Sequence, residues 1–318
     1  GKGEYYVVEA DESDKSFTYL DPTSVLVTNI EADHLDHYSG LDEIYQLFGD
    51  FMGSVHEDGC CVVCGEDAGL VETAKKTGKK VLTYGFSEEC DTVVSQYETH
   101  GVSISFTVTL PDGTALPCGI KQNPGRHNAL NAAGVLTLLM TRGVDTQKAA
   151  EALSGFMGVR RRFDLVGGAD GVTILDDYAH HPTEIAATIA AAKELDFKRV
   201  CVVFQPHRYS RIRLFTEVLK DEFGKAFDQA DMVTFLDVYP AGETPVPGVT
   251  GRTFMQPIYD SPNRPADLNY VDRRMQVVPF LTEKLQLGDL IITMGAGDVT
   301  SVGPELLAAL QEREKSRK

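Results

Sequence analysis

The chain has 318 residues, enough for about two domains, and 42% of them are hydrophobic. Against 30 Lys and Arg stand 47 Asp and Glu, a formal charge of −17, which excludes the basic face that non-specific nucleic-acid or anionic-membrane binding requires. A local cationic cluster can still hold an anionic small ligand, because charges more than about 8 Å away are largely screened at physiological salt. No run of about 18 apolar residues occurs, so no membrane-spanning helix is expected, and no signal peptide opens the chain. The start is Gly-Lys-Gly rather than Met, which reads as a fragment or a tag remnant. Six cysteines are scattered. Cys61 and Cys64 form a C-x-x-C, but "GCCVVCGEDA" reads as a strand entering a turn and no second ligand pair has zinc spacing, so reduced thiols are expected.

In chain order, "YYVVEA" (5–10) is the first strand-like run. Glu9, Asp11, Glu12 and Asp14 crowd its end, as either a solvated turn or a cation site. "TSVLVTNI", "GCCVVC" and "KKVLTYGF" are further strand patterns, separated by helical patterns over 41–55 and 67–77. Such alternation predicts a mostly parallel sheet with covering helices. Residues 91–120 alternate with period two around "PDG", predicting a hairpin and a small antiparallel patch. Helices are expected over about 126–142 and 146–156.

A second α/β series begins near Gly158. "GVTILDDY", "RVCVVFQP", "DMVTFLDVY", "LNYVD" and "DLIITMGAG" read as strands, with helices at about 182–195, 209–227, 275–286 and 303–314. The expected architecture is α/β throughout: one domain over 1–157, then a Rossmann-like, doubly wound domain over 158–318. Ligands of such sheets sit beyond the carboxyl ends of the strands. The polar punctuation "DDYAHHP", "QPHRYSR", "DVYPAGE" and "MGAGD" falls there, which suggests a shared cleft.

The chemistry-bearing motifs each admit a plain reading. "TNIEADHLDHY" follows the second strand, and neighbouring parallel strands would bring Glu9 and His34 together, a carboxylate–imidazole pair suited to a divalent metal or simply a loop histidine. Asn128 and Asn131 are i and i+3 at a helix start, either reading a ligand or serving the helix terminus. "RRRFD" places Arg162 near the domain boundary, as a phosphate contact or a solvated basic patch. "LDDYAHHPTE" sets Asp176, Asp177, His180 and His181 between a strand and a Pro-initiated helix. "QPHRYSR" places Arg208 and Arg211, i and i+3, at the start of the next helix, where they form a ready carboxylate or phosphate receptor; the plain reading, a surface charge cluster, is weaker because apolar "RVCVVF" precedes them. "GAGDVT" lacks the third glycine of a dinucleotide fingerprint and reads as a tight strand-to-helix turn.

In this order, "EADESD", "TNIEADHLDHY", "GRHNALNAAG", "RRFD", "DDYAHHPTE", "FQPHRYSR" and "DVYPAGE" resemble the Mur ligases of bacterial peptidoglycan synthesis, from Tyr5 to about Leu307. Within the family, "EADESD" and "DDYAHHPTE" look more like the alanine-adding member than the tripeptide-adding recycling member. The resemblance implies a partial central ATPase domain followed by an amino-acid-binding domain. No G-x-x-x-x-G-K-[ST] occurs, so the N-terminal domain and phosphate loop of the family are expected to be missing and this polypeptide to be inactive alone. The resemblance further implies ATP and Mg²⁺, with Mn²⁺ a possible substitute, and UDP-N-acetylmuramate and L-alanine as substrates. It implies a bacterial cytoplasmic protein, monomeric or weakly dimeric, with no nucleic-acid or membrane partner. Glu9 and His34 would hold metal, Asn128 and Asn131 would line the adenine and ribose, and Arg162 would reach the phosphates with Asp177 beside the nucleotide. His180, Arg208 and Arg211 would face the alanine. A non-catalytic nucleotide-binding relic is the alternative from outside the enzyme class.

Overall fold

The structure, a computed structural model, describes residues 3–32 and 38–317. By packing, the chain forms two units. One comprises Gly1–Glu98, Ser105–Gly119 and His127–Ser154; the other comprises Thr99–Ile104, Ile120–Arg126 and Gly155–Lys318.

The first sheet contains β1 (Val25–Val27), β2 (Cys61–Cys64), β3 (Val81–Gly85), β4 (Thr92–His100), β5 (Ser103–Thr109) and β6 (Ala115–Ile120), in that spatial order. β1 to β4 pair in parallel, and their connections carry α1 (Leu41–Gly53) and α2 (Ala68–Lys76). The short links among β4, β5 and β6 suit only antiparallel neighbours, which is the expected hairpin region with one strand more than "PDG" alone suggested. α3 (Arg126–Thr141) and α4 (Thr146–Leu153) follow. Local chemistry explains the helix ends: the Asp67 carboxylate accepts the Leu70 N–H at 2.9 Å, and Lys75 and Lys76 sit in the last turn of α2, opposite the partial charges of the helix dipole. β2 is buried along its whole length, as a strand covered on both faces must be.

One expected strand does not form. Residues 5–8 form no strand, and Tyr6 and Val7 are over 90% exposed. The composition favours a strand, yet β-propensity only reports how well a side chain fits a sheet. No strand among the described residues lies alongside to take up the backbone groups, so the parallel neighbours expected to join Glu9 and His34 are not there.

The second sheet has the order β11–β10–β9–β12–β8–β7, from β7 (Asp164–Ala169), β8 (Val172–Asp177), β9 (Arg199–Phe204), β10 (Met232–Leu236), β11 (Asp267–Val271) and β12 (Asp289–Met294). Five strands are parallel and β7 is an antiparallel edge. Helices cover both faces, because side chains alternate along each strand. Cys201, Val203 and Ile291 pack with Val277 and Leu281 of α9 (Arg274–Lys284) and with Leu306 and Leu310 of α10 (Val302–Arg317). On the other face, Phe204 meets Phe223, Phe227 and Phe235 at ring distances of 6.0, 5.3 and 5.2 Å. Phe223 belongs to α6 (Lys220–Lys225), beside α5 (Pro182–Lys193). The doubly wound expectation holds.

The helix expected over 209–227 is broken. Arg208 turns the chain at φ 67°, a 3₁₀ turn spans Tyr209–Arg211, and a π-helical turn spans Leu214–Val218 before α6 begins. Thr216 donates its hydroxyl back to the Ile212 carbonyl at 2.7 Å, a bond that loosens regular helix. Two short helices, α7 (Gly251–Phe254) and α8 (Gln256–Asp260), were not expected within the Gly- and Pro-rich stretch between β10 and β11.

Candidate active site at the strand ends

In the first unit the acidic stretch is largely a turn. The Asp11 carboxylate accepts the Ser13 N–H and that of Asp14 accepts the Ser16 N–H, each at 2.9 Å, the Asx geometry that shapes loops. The Glu12 carbonyl accepts the Tyr38 hydroxyl. Lys15, at φ 66°, pairs with Glu43 at 2.6 Å and lies 4.9 Å from the Tyr38 ring centroid. Glu9 is exposed and takes no part in this wiring. Mg²⁺ held mainly by phosphate and water needs only one or two protein carboxylates, and the uncommitted oxygens of Glu9 fit that role. His34 lies outside the described residues, and among those described no three His, Cys, Asp or Glu side chains gather as a metal would require. Asn128 and Asn131 stand in the first two turns of α3, half-buried and exposed respectively.

The second unit gathers its polar side chains at the carboxyl ends of β8, β9, β10 and β12. Asp176, at 3% exposure, accepts the hydroxyls of Thr293 at 2.6 Å and Thr300 at 2.7 Å, with the Arg161 Nε 3.4 Å away. Asp177, at 5%, accepts the N–H groups of Phe163 at 2.7 Å and Ala179 at 2.8 Å. Burial pushes its carboxyl up to about 6, against the opposing pull of those two amides. Asp177 thus holds the local backbone and Asp176 holds side chains, the Arg161 guanidinium among them, on either side of the Arg161–Phe163 turn, where Arg161 and Phe163 take φ of 60° and 51°. Arg161 also donates to the carbonyl of Gly295 at 2.7 Å.

Beside these carboxylates lies a second cluster of polar side chains. Arg162 is half exposed, 3.4 Å from Glu184 Oε1 and 5.5 Å from the Tyr178 ring centroid. Glu184 Oε2 accepts the N–H groups of His180 at 3.1 Å and His181 at 3.3 Å, closing the cap of α5. Burial alone would raise the Glu184 carboxyl, but the His180 imidazole, its amide and Arg162 outweigh it and hold the group low. His180 and His207 rings are 6.4 Å apart, and His207 stacks on Tyr239 at 5.8 Å. Burial, then the charges of Arg211 and neighbouring cationic groups, pushes His207 down to about 4, so it is neutral at pH 7. Nδ1 of His207 and Nε of Arg208 are among the buried nitrogens that have no hydrogen-bond partner among the described residues. Buried donors are nearly always satisfied, which makes the Arg208 Nε a candidate for a ligand contact.

The chain matches the Mur ligase middle domain over residues 1–139 and the Mur ligase glutamate ligase domain over residues 161–297. It is 41% identical over 319 aligned positions to the UDP-N-acetylmuramate–L-alanine ligase of Pelotomaculum thermopropionicum, covering 99% of this chain and 67% of the relative. It is 42% identical to that of Thermobifida fusca, covering 98% and 66%. The chain belongs to the Mur ligase family. A crystal structure of the UDP-N-acetylmuramate–alanine ligase of Thermotoga maritima superposes with a TM-score of 0.72 at 25% identity, over 97% of this chain and 63% of that one. The chain thus spans about two thirds of the length of these Mur ligases. Four residues of this Mur ligase cluster went unassigned by sequence: Arg161, Tyr178, Glu184 and His207. Each lies within or beside a motif already singled out, but which side chain turns toward the cleft depends on the backbone twist at positions such as 161 and 208.

Proposed function

We propose that the chain carries ATP-facing and amino-acid-facing residues of a UDP-N-acetylmuramate–L-alanine ligase. Such an enzyme uses ATP to activate the muramic carboxylate as an acyl phosphate, which the alanine amine then attacks to form the amide and release phosphate. The observation that carries the reading is the paired Arg208 and Arg211 beside neutral His207, in a chain 41% identical to alanine-adding relatives. A guanidinium pair holds the alanine carboxylate by charge-assisted hydrogen bonds, while the neutral imidazole adds no positive charge against the amine. The His180 ring lies 6.4 Å from that of His207, on the side proposed to face the alanine. Arg162 neutralises phosphate charge, and Asp177 holds the turn that presents it; phosphoryl transfer rests on such positioning and electrostatics. Asn128 and Asn131 serve the nucleoside. Mg²⁺, held by Glu9 and His34, would supply further charge neutralisation.

The test is ADP release by the full-length form of the ligase, with UDP-N-acetylmuramate and either L-alanine or a tripeptide as acceptor. Alanine-dependent turnover is expected, and turnover only with the tripeptide would replace this reading by the recycling ligase. Turnover with neither leaves the nucleotide-binding relic. The 318-residue chain itself, which contains no G-x-x-x-x-G-K-[ST], is expected to give none.

A further inference from the structure

Arg162 and His180 are joined by two separate bridges. One is the Tyr178 ring: Arg162 lies 5.5 Å from its centroid, and the His180 ring stands against it at 5.5 Å and 90°. The other is the Glu184 carboxylate. Its Oε1 faces Arg162 at 3.4 Å, while its Oε2 takes the His180 N–H at 3.1 Å and lies 3.5 Å from His180 Nδ1. Tyr178 is itself fixed from below, because its N–H donates to the Arg161 carbonyl at 2.7 Å and the Arg161 guanidinium lies 4.7 Å from its ring centroid.

We infer that Glu184 and Tyr178 are positioning residues that couple phosphate binding at Arg162 to amino-acid binding at His180. The inference rests on the proposed function, which assigns those two ligands. Arg162 is the looser partner, half exposed and held, among the described residues, only by the long contact to Glu184 and the Tyr178 ring face. A phosphate that draws Arg162 away leaves the Glu184 charge to the His180 side alone, strengthening its hold on the imidazole and on the first turn of α5. A better-fixed His180 binds the amino acid more tightly, so the coupling is positive, and linkage makes it reciprocal.

The measurement is calorimetric titration of L-alanine into the full-length ligase saturated with UDP-N-acetylmuramate, with and without a non-hydrolysable ATP analogue. In the wild type the analogue is expected to tighten alanine binding by about 5-fold or more, the lower range of allosteric couplings. Glu184→Gln keeps a helix-capping side chain but removes the charge, and Tyr178→Leu removes the ring. Each is expected to weaken the coupling, read as the ratio of alanine affinities with and without the analogue, while helix content holds. Equal coupling in the wild type and both variants would overturn the inference while leaving the ligase assignment intact. No alanine binding by the wild type in either condition would overturn the proposed function, and this inference with it.

Discussion

Asp11 and Asp14 lie on the surface of the first unit, while Asp176 and Asp177 are sealed in the second. Both pairs follow apolar stretches and both bond to nearby groups, so their sequence signatures are alike. The difference lies beneath them. β8 is flanked by β12 and β7, and its carboxylates point into a packed floor where Thr293, Thr300, Phe163 and Ala179 meet them. Among the described residues, 5–8 pair with no strand, and the Asp11 and Asp14 carboxylates after them bond N–H groups of their own turn. An acidic cluster becomes an interior network when neighbouring strands supply its donors; otherwise it shapes a loop.

Substitutions can break this contrast. The largest effects should fall on activity in the full-length ligase. Arg208→Ala should lower kcat/KM for L-alanine by about 10- to 150-fold, the loss of a hydrogen bond to a charged group, and steady-state kinetics with varied alanine checks it. Next, Asp176→Ala should destabilise the second unit by about 3–5 kcal/mol, as removal of one buried ionic partner strands the other. Glu9→Gln, by contrast, should change stability by less than about 0.5 kcal/mol, although it removes the proposed metal ligand. Urea denaturation of the present chain compares the two.

The pH dependence is subtler, because two groups act in opposite directions. Asp177, raised to about 6 in the fold, binds its proton more readily folded than unfolded, so its contribution to stability declines as pH rises from about 4 to 6. His207, lowered to about 4, is protonated more readily when unfolded, so its contribution is lost as pH falls from about 6.5 to 4. The contributions of these two groups therefore oppose one another across that window. Asp177→Asn should unmask a loss toward acid, and His207→Gln a gain, both read from denaturation midpoints between pH 4 and 7. Asp14→Ala should cost about 0.5–1.5 kcal/mol for one turn hydrogen bond, seen in the same assay at pH 7.

The elements with clear periodicity were legible: β2, β3, α1 and α2, and the five parallel strands of the second sheet. They alternate because each strand must bury both faces under helices, and that constraint writes itself into local composition. Residues 5–8 misled because strand composition says nothing about whether a partner is present. The break between 209 and 227 was hidden because it starts from a positive φ at a non-glycine residue, Arg208, which no residue pattern announces. In the site, Asp177, His180, Arg208 and Arg211 were singled out from their places at strand ends, and the structure sets them at those ends. Glu184 was missed because at the third position of a helix it looks like an ordinary cap, and it is one; its second role depends on Arg162, which is distant in sequence.

Five of the six cysteines are buried. Cys60, Cys61, Cys64 and Cys118 belong to the first unit and Cys201 to the second. Burial pushes Cys61 and Cys118 up to about 11 and Cys201 up to about 12, so at neutral pH these thiols react with an alkylating reagent only when their surroundings open. Each unit thus contains its own clock for local opening. Mass spectrometry of alkylated peptides, timed with and without nucleotide, would read the two clocks separately in a single sample.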